Sequence, residues 1–502
     1  MRIFTAGVMR LAVCRMIGLK HKVVSSVFWR MSERLGTHGV SFVVSIVLAR
    51  ILGPEVYGTV ALLTIFIAIS GILIDSGFGA ALVQKEIVSD VDLNSAFYVN
   101  LIIGLLAYGV LFFVAPLISR FYHKEILIPL LRLLSIVLIF NALNVVQSSV
   151  LMRGLLFKLS FIVSIAQIIV SGVVGIVLAL TGRGIWALVW SQLSGVAVAT
   201  VLRWCVVGWR PGLSCSSGAI RELYYFGWKL LCASLLNNLY INMSGLIIGR
   251  LYMPAELAFF NRGQQIPKLI METVNSTIGT VAFPVLSRLQ NDKLRLLGVV
   301  RKMIFHSTFW VLPAMTGLAF CAPALIELLL GDKWLRCVPF IQLYCIVFAL
   351  WPFHTVNLQA ISALGRSDIF LKLEIIKKSI GVIVLILVCR HGALSIAMSS
   401  ALVTAPIGLM LNGWPLRRLL GYGIFNQIAD ALPNLLLCLA VALPVFLISF
   451  VSITGAGPRL LVQILAGTAC FIAMAVLTNN KAVPFYRDLA KDYFLQLKEC
   501  RK

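Results

Sequence analysis

Stretches of twenty residues or more without Asp, Glu, Lys or Arg recur along this chain, among them 93–119, 159–182, 230–249, 337–365, 392–415, 431–458 and 460–480. A helix needs about 20 mostly apolar residues to cross a bilayer. In hydrocarbon every backbone N–H and C=O must be paired, which leaves helices and closed barrels as the spanning structures. Uninterrupted apolar runs of this length read as helices. Composition agrees: 60% of the residues are hydrophobic, 12% are charged, and the mean hydropathy is +0.97. A soluble domain carries about twice that share of charge. The sequence predicts an all-α integral membrane protein.

Segmentation gives about fourteen transmembrane helices. The first six are 24–49, 58–83, 96–118, 127–151, 161–180 and 185–206. The next six are 226–249, 266–286, 303–321, 338–361, 370–389 and 393–416, and two more follow at 432–452 and 460–477.

The net charge of +24 invites a nucleic-acid reading, but its distribution opposes one. Counted on alternate sides of the spans, 31 Lys and Arg fall on the side of the N-terminus and 11 on the other, with Arg132 inside a span. Such a bias orients a membrane protein with its basic side inward, here with both termini cytoplasmic. A nucleic-acid binder gathers its cations into one soluble patch. The eleven cysteines and six histidines are scattered without CxxC or HExxH spacing, so no metal centre or cofactor is expected. Arg10 and Arg15 interrupt the apolar part of the N-terminus, which argues against a cleaved signal.

The chain repeats itself. "LARILGPEVYG" (48–58) is echoed by "IGRLYMPAELA" (248–258), with Arg50 on Arg250 and Pro54 on Pro254. Gly184 and Ser191 of "GRGIWALVWS" fall on Gly392 and Ser399 of "RHGALSIAMS". "FKL" at 157–159 falls on "LKL" at 371–373, and all offsets lie between 200 and 214. The expected organisation is a cytoplasmic N-terminal extension (1–23), an N-lobe of helices 1–6 (24–207) and a cytoplasmic linker (208–225). A C-lobe of helices 7–12 (226–416), helices 13 and 14 (417–480) and a basic cytoplasmic tail (481–502) complete it. Two pseudo-symmetric six-helix lobes suit a transporter with its site at their interface.

An ionisable group inside a membrane costs roughly 2.5–3.5 kcal/mol on insertion scales, so it is kept for a reason. Asp75, Arg132 and Glu272 are such groups, and they are the candidates for ion coupling or for lining a cavity. Glu272 has a bland alternative in Lys268, one turn earlier. Glu374 and Lys378 share a helix face at the same spacing. Arg50 and Arg250 are explicable as cations at helix C-termini ahead of a helix-ending proline. That does not explain their matched positions, which a cavity lined by paired arginines would. Asn237, Asn238, Tyr240, Asn242 and Asn275 put polar groups on the seventh and eighth spans. They suit sugars, and equally suit contacts between helices.

"FVVSIVLARILGPEVYGTVALL", "DSGFGAALVQ" and "AFFNRGQQIPKLI" resemble the polysaccharide-exporter branch of the MOP superfamily, flippases of lipid-linked oligosaccharides of the O-antigen and colanic-acid type. The resemblance covers nearly the whole chain, although Met253 stands where glycine is common. It implies a MATE-like fold of two lobes plus two helices, alternating access, and a cationic cavity. It places one cavity arginine at the end of the first helix, matched by Arg50, and another in the first turn of the eighth, matched by Arg262. Asp75 matches an acidic position. The implied cargo is a polyprenyl-pyrophosphate-linked oligosaccharide, taken across the bacterial cytoplasmic membrane in the synthesis of lipopolysaccharide or exopolysaccharide. Membrane lipids, a polysaccharide polymerase and its assembly machinery are the implied partners.

A pyrophosphate is a dense anion that guanidinium groups match bidentately. No GxxxxGK[ST] loop is present, so the energy is expected to come from an ion gradient, with Na⁺ or H⁺ as coupling cation, from the membrane potential or from downstream consumption of the product, rather than from a nucleotide. A multidrug exporter of the same superfamily would favour acids over arginines in its cavity. A membrane-embedded polymerase, the enzyme alternative, would need a larger extracytoplasmic loop than 250–265.

Overall fold

The computed structural model describes residues 29, 32, 33, 36–75, 77–451, 455–478, 480 and 482–488. The side chains of Asp75, Phe226, Lys229, 276–281 and 283 fall outside the description. So do the whole N-terminal extension and residues 489–502 of the tail. Among the described residues there is no strand. The helices are α1 (Gly36–Ile51), α2 (Pro54–Asp75), α3 (Phe78–Gln84), α4 (Asp90–Tyr122), α5 (Leu127–Leu134), α6 (Ile136–Arg153), α7 (Phe157–Leu180), α8 (Ile185–Val206) and α9 (Ser217–Leu251). They continue with α10 (Pro254–Arg288), α11 (Lys293–Leu329), α12 (Val338–Ala349), α13 (Trp351–Ala363), α14 (Ser367–Val388), α15 (Ala393–Ser399), α16 (Ala405–Leu420), α17 (Ile424–Ser449) and α18 (Ala456–Leu477).

Where they are described, the expected spans fall on helical segments, and several are built from two pieces; residues 24–28 of the first span lie outside the described residues. Among the described residues eleven segments are long and apolar enough to cross a membrane. The other three are α1, α10 and α14. The described part of α1 is short. Helix α10 carries Arg262, Lys268 and Glu272, and α14 carries Lys372, Glu374, Lys377 and Lys378.

Local chemistry sets the boundaries. Ser89 and Asp92 form a reciprocal capping box at the start of α4, which satisfies two N–H groups that the helix leaves unpaired. Pro352 sits in the first turn of α13, where proline is tolerated because those N–H groups have no helical partner, and Pro406 sits at the start of α16. Ahead of α16 the helix widens into a π-turn at Ser400–Thr404. The second sequence echo marks a shared start: Gly184 (φ 54°) and Gly392 (φ 113°) are the N-caps of α8 and α15. Both hold backbone angles that a side chain disfavours.

Two compact units emerge, Met1–Ala255 and Glu256–Lys502. The division by contact falls later than the linker expected at 208–225. The reason is α9, which packs along α2 and α4. A division by contact is not a division by repeat, so the six-plus-six organisation stays a proposal. In the first unit, buried apolar side chains gather around Phe78, Leu82, Phe97 and Val146, and again around Leu48, Leu52 and Val60. In the second they gather around Leu296, Val300, Phe353 and Val356, with smaller clusters holding α17 and α18 to α11. Buried polar pairs tie helices together, as Asn144 Nδ2 donates to Thr200 Oγ1 at 2.7 Å and Asn357 Nδ2 to Gln427 Oε1 at 3.0 Å. Such bonds contribute about 0.6 kcal/mol each on average inside membranes.

Candidate functional site

The doubled sequence motif folds into a doubled turn. Leu52 N donates to Leu48 O at 2.8 Å, and Tyr252 N to Ile248 O at 2.9 Å. Each bond closes the last turn of a helix. A short break follows, and the next helix starts at Pro54 or Pro254. In both copies the arginine sits on the last turn with its side chain exposed.

The two copies also touch. Helices α2 and α9 run antiparallel, and glycine lets them close up. A Cβ on Gly249 would lie 2.0 Å from Leu62 Cδ2, and just past the end of α9 one on Gly58 would lie 1.7 Å from O of Pro254, the first residue of α10. At the far end a Cβ on Gly77 would meet Gly227 Cα at 2.5 Å. Lys85 fastens that end, at 2.8 Å from Glu222 of α9 and 3.1 Å from Asp92 of α4. The hydrogen bond to Glu222 is the main reason that the Lys85 ammonium sits above the ordinary lysine range. Arg50 and Arg250 therefore stand at the same end of the first unit. The Arg250 guanidinium lies over the Phe121 ring at 5.0 Å, beside Tyr122.

Arg132 has a structural occupation. Pro116 lies inside α4 and cannot donate to Phe112 O four residues earlier. Arg132 Nε donates to that carbonyl instead, at 3.3 Å, with its guanidinium 4.2 Å from the Phe112 ring centre. The second unit repeats the device. Pro323 in α11 leaves Ala319 O without its helical donor, and Gln342 Nε2 of α12 donates there at 3.2 Å. The offsets, 207 for the prolines and 210 for the capping residues, fall within the range of the sequence echoes.

In the second unit Arg262 lies in the third turn of α10, not the first turn that the resemblance implies. Its Nη1 donates to Gln265 Oε1 at 3.0 Å, and its guanidinium is 5.8 Å from the centre of the Trp334 ring. Next to it Gly263 backs onto Phe340, whose Cβ would be 2.3 Å from a Cβ at 263. Glu256 and Arg336 pair at 2.6 Å beside Phe259 and Trp334. Glu272 pairs with Lys268 at 3.6 Å, both half-exposed.

Of the polar residues, Asn237 is exposed and Tyr240 half-buried. Asn238 and Asn242 donate to the backbone one turn earlier, at Ser234 O and Asn238 O. Asn275 Oδ1 is buried without a hydrogen-bond partner among the described residues. The side chain of Asp75 lies outside the described residues.

Two polar clusters were not anticipated from sequence. Asn412 Nδ2 donates to His354 Nδ1 at 2.9 Å, and His354 and Lys377 both adjoin Gly408. Lys377 pairs with Glu374 at 2.5 Å, so Glu374 reaches Lys377 as well as facing the expected Lys378. Near the start of α17, Arg301 grips Asp430 through two bonds of 2.7 Å, and Tyr422 donates to the same carboxylate at 2.7 Å. Burial first, and Asp430 second, push the Tyr422 phenol upward in pKa. The only sequence signal for either cluster was an ionisable residue near an apolar run. Among the described residues no group of three or more His, Cys, Asp or Glu is placed to hold a metal.

The chain is similar to known proteins in sequence and in fold. The chain is 24% identical over 416 residues to the teichuronic acid biosynthesis protein TuaB of Bacillus subtilis, spanning 81% of this chain and 85% of that one. It is 25% identical over 368 residues to the lipopolysaccharide biosynthesis protein WzxC of Escherichia coli, spanning 72% and 74%. The succinoglycan biosynthesis transport protein ExoT of Rhizobium meliloti matches at 25% over 323 residues, spanning 64% and 65%. The lipid II flippase MurJ, in an inward closed conformation, superposes with a TM-score of 0.72 at 14% identity, over 92% of this chain and 100% of that one. An inward-facing multidrug resistance MATE transporter of the MOP superfamily gives 0.58 at 15% identity, over 76% and 94%. At those identities the likeness to both structures is one of fold. The model of the polysaccharide biosynthesis protein family matches residues 47–339, more than half of the chain, and the chain belongs to that family.

Proposed function

We propose that the chain flips a polyprenyl-pyrophosphate-linked oligosaccharide across the bacterial cytoplasmic membrane by alternating access, as a step in surface polysaccharide biosynthesis. The observation that carries this reading is the doubled arginine–proline turn, which puts two exposed guanidinium groups at one end of the first unit. Arg250 rests on Phe121 and Arg262 on Trp334. Each ring attracts its guanidinium, a group that carries a planar fork of N–H donors. Those donors match the oxygens of a pyrophosphate. Relatives named for teichuronic acid, lipopolysaccharide and succinoglycan synthesis support the class of cargo.

In this reading Arg50, Arg250 and Arg262 hold the pyrophosphate, while Asn237, Asn238, Tyr240, Asn242 and Asn275 meet sugars. A Na⁺ or H⁺ gradient drives the cycle. Asp75 is its coupling group, because Glu272 is paired with Lys268 and Arg132 serves a carbonyl. Both termini are cytoplasmic, and the protein performs no covalent chemistry on its cargo. A polymerase and its assembly machinery receive the product on the far side.

The test is substitution at the arginines. Arg250→Ala and Arg262→Ala should insert normally and lower flipping at least tenfold, since a charge-assisted hydrogen bond contributes about 1.5–3 kcal/mol. Lysine at either position should restore only part, because a point charge lacks the fork. Wild-type flipping by Arg262→Ala would remove that residue from the site.

A further inference from the structure

The geometry points to a binding site for the phosphate head of an anionic phospholipid between the end of α16 and the start of α17. A recess of about 600 Å³ opens there, lined by Met410, Trp414, Arg417, Gly423 and Phe425 among others. It lies between two membrane spans, Ala393–Leu420 and Ile424–Ser449, and so at the edge of the bilayer. The site is independent of the flipping reading.

Three observations fix the chemistry. First, the cations are unopposed. Among the described residues neither Arg417 nor Arg418 has a salt-bridge partner. The single acid of α16 and α17, Asp430, is occupied by Arg301 and Tyr422. The end of α16 favours cations by itself, but that preference does not require a recess beside them.

Second, the recess is amphipathic. Trp414 is 56% exposed, Phe425 81% and Met410 63%. Arg418 lies over the Trp414 ring at 4.4 Å. Tryptophan and arginine at a membrane edge meet headgroups, while Met410, one turn deeper, meets acyl chain.

Third, the recess is built. The Arg417 stem lies on the Gly423 backbone, with Cδ 3.3 Å from where a Cβ would be. Gly423 is also the N-cap of α17. It supplies no side-chain cap, and no acid occupies the first turn, so N–H groups there lack a helical partner. Arg417 and these N–H groups converge on one phosphodiester, and the apolar wall takes its first methylenes. A zwitterionic lipid offers the same phosphate but brings its own cation to the arginines.

The test uses the full chain in phosphatidylcholine bilayers with a minor share of brominated phosphatidylglycerol, which quenches nearby tryptophan. Subtracting the signal of Trp414→Phe isolates Trp414. A cation near a membrane surface contributes about 1 kcal/mol toward anionic lipid, or about a fivefold enrichment. Trp414 should therefore report about five times more brominated phosphatidylglycerol than its bulk share, and brominated phosphatidylcholine at its bulk share. Arg417→Gln should abolish the enrichment, and Arg417→Lys should keep most of it. Equal quenching by the two brominated lipids would overturn the site, as would enrichment that survives Arg417→Gln. Displacement by undecaprenyl pyrophosphate at a trace share would overturn it too, by assigning the recess to cargo. Both lipids occupy both leaflets, so the result does not depend on the orientation of the chain or on flipping.

Discussion

Helices α4 and α11 each carry a proline that leaves a carbonyl without its helical donor, and each unit supplies that donor differently. In the first unit Arg132 caps the carbonyl that Pro116 leaves unpaired. In the second, Gln342 caps the one left by Pro323. Position and geometry are repeated, but charge is not. The shared part is therefore a backbone requirement, and a neutral amide meets it as well as a guanidinium. An intramembrane charge that looked like a coupling group from sequence is thus explained by a missing hydrogen-bond donor.

The arginine–proline turns show the same separation. Both copies make the turn, yet Gly58 presses on Pro254, whereas its counterpart Ala258 is buried at 2% exposure with room for its methyl. The close approach is made only where Gly58 of α2 meets the start of α10, and the turn belongs to both copies.

The largest effect should come from filling that approach. Gly58→Val places atoms where a backbone carbonyl already is, and overpacking of this kind costs about 3 kcal/mol or more. Folded yield by fluorescence-detected chromatography should collapse, while Ala258→Gly should lose only about 1 kcal/mol. A normal yield from Gly58→Val would mean that the contact is looser than its geometry.

The carbonyl caps come next, and they can be read as two double-mutant cycles. Arg132→Leu should cost about 1.5–3 kcal/mol and Gln342→Leu about 0.5–1.5, following charged and neutral hydrogen bonds. With Pro116→Ala or Pro323→Ala the helix regains its own donor, and each cost should shrink. Thermal midpoints of the single and paired variants check this. Purely additive costs would deny the capping role.

The smallest effect should be at Lys85. Lys85→Met removes a partly exposed bridge to Glu222 and Asp92. It should lower stability by less than about 1 kcal/mol and lose that little at high salt. A drop of several kcal/mol would show that the bridge, rather than the glycine seam, holds α9.

Most of the spans could be read from the chain, because an apolar run of the right length has one solution in a bilayer. The turn at Arg50 and Arg250 could be read as well, since proline and a terminal cation are local signals. The glycines at 184 and 392 likewise announced a repeated helix start. Grouping was harder. The repeat pairs helix 7 with the second half, while glycine contacts visible only in three dimensions seat α9 against α2. The partners of Arg132 and His354 lie on other helices, where neither spacing nor composition points. Glu272 was half-legible, because its lysine stands one turn away on the same helix. Asp75 keeps the role that the sequence suggested, as a proposal.

The central claim is transport of a lipid-linked oligosaccharide, and leaflet assignment tests it most directly. In a deletion strain of the native host, lipid-linked oligosaccharides would be extracted and their leaflet determined, alongside a stain for surface polysaccharide. The account predicts accumulation on the cytoplasmic leaflet with loss of surface glycan, and the mass of the trapped lipid would identify the cargo. Intermediates that reach the outer leaflet unpolymerised would contradict it and place the chain at a later step.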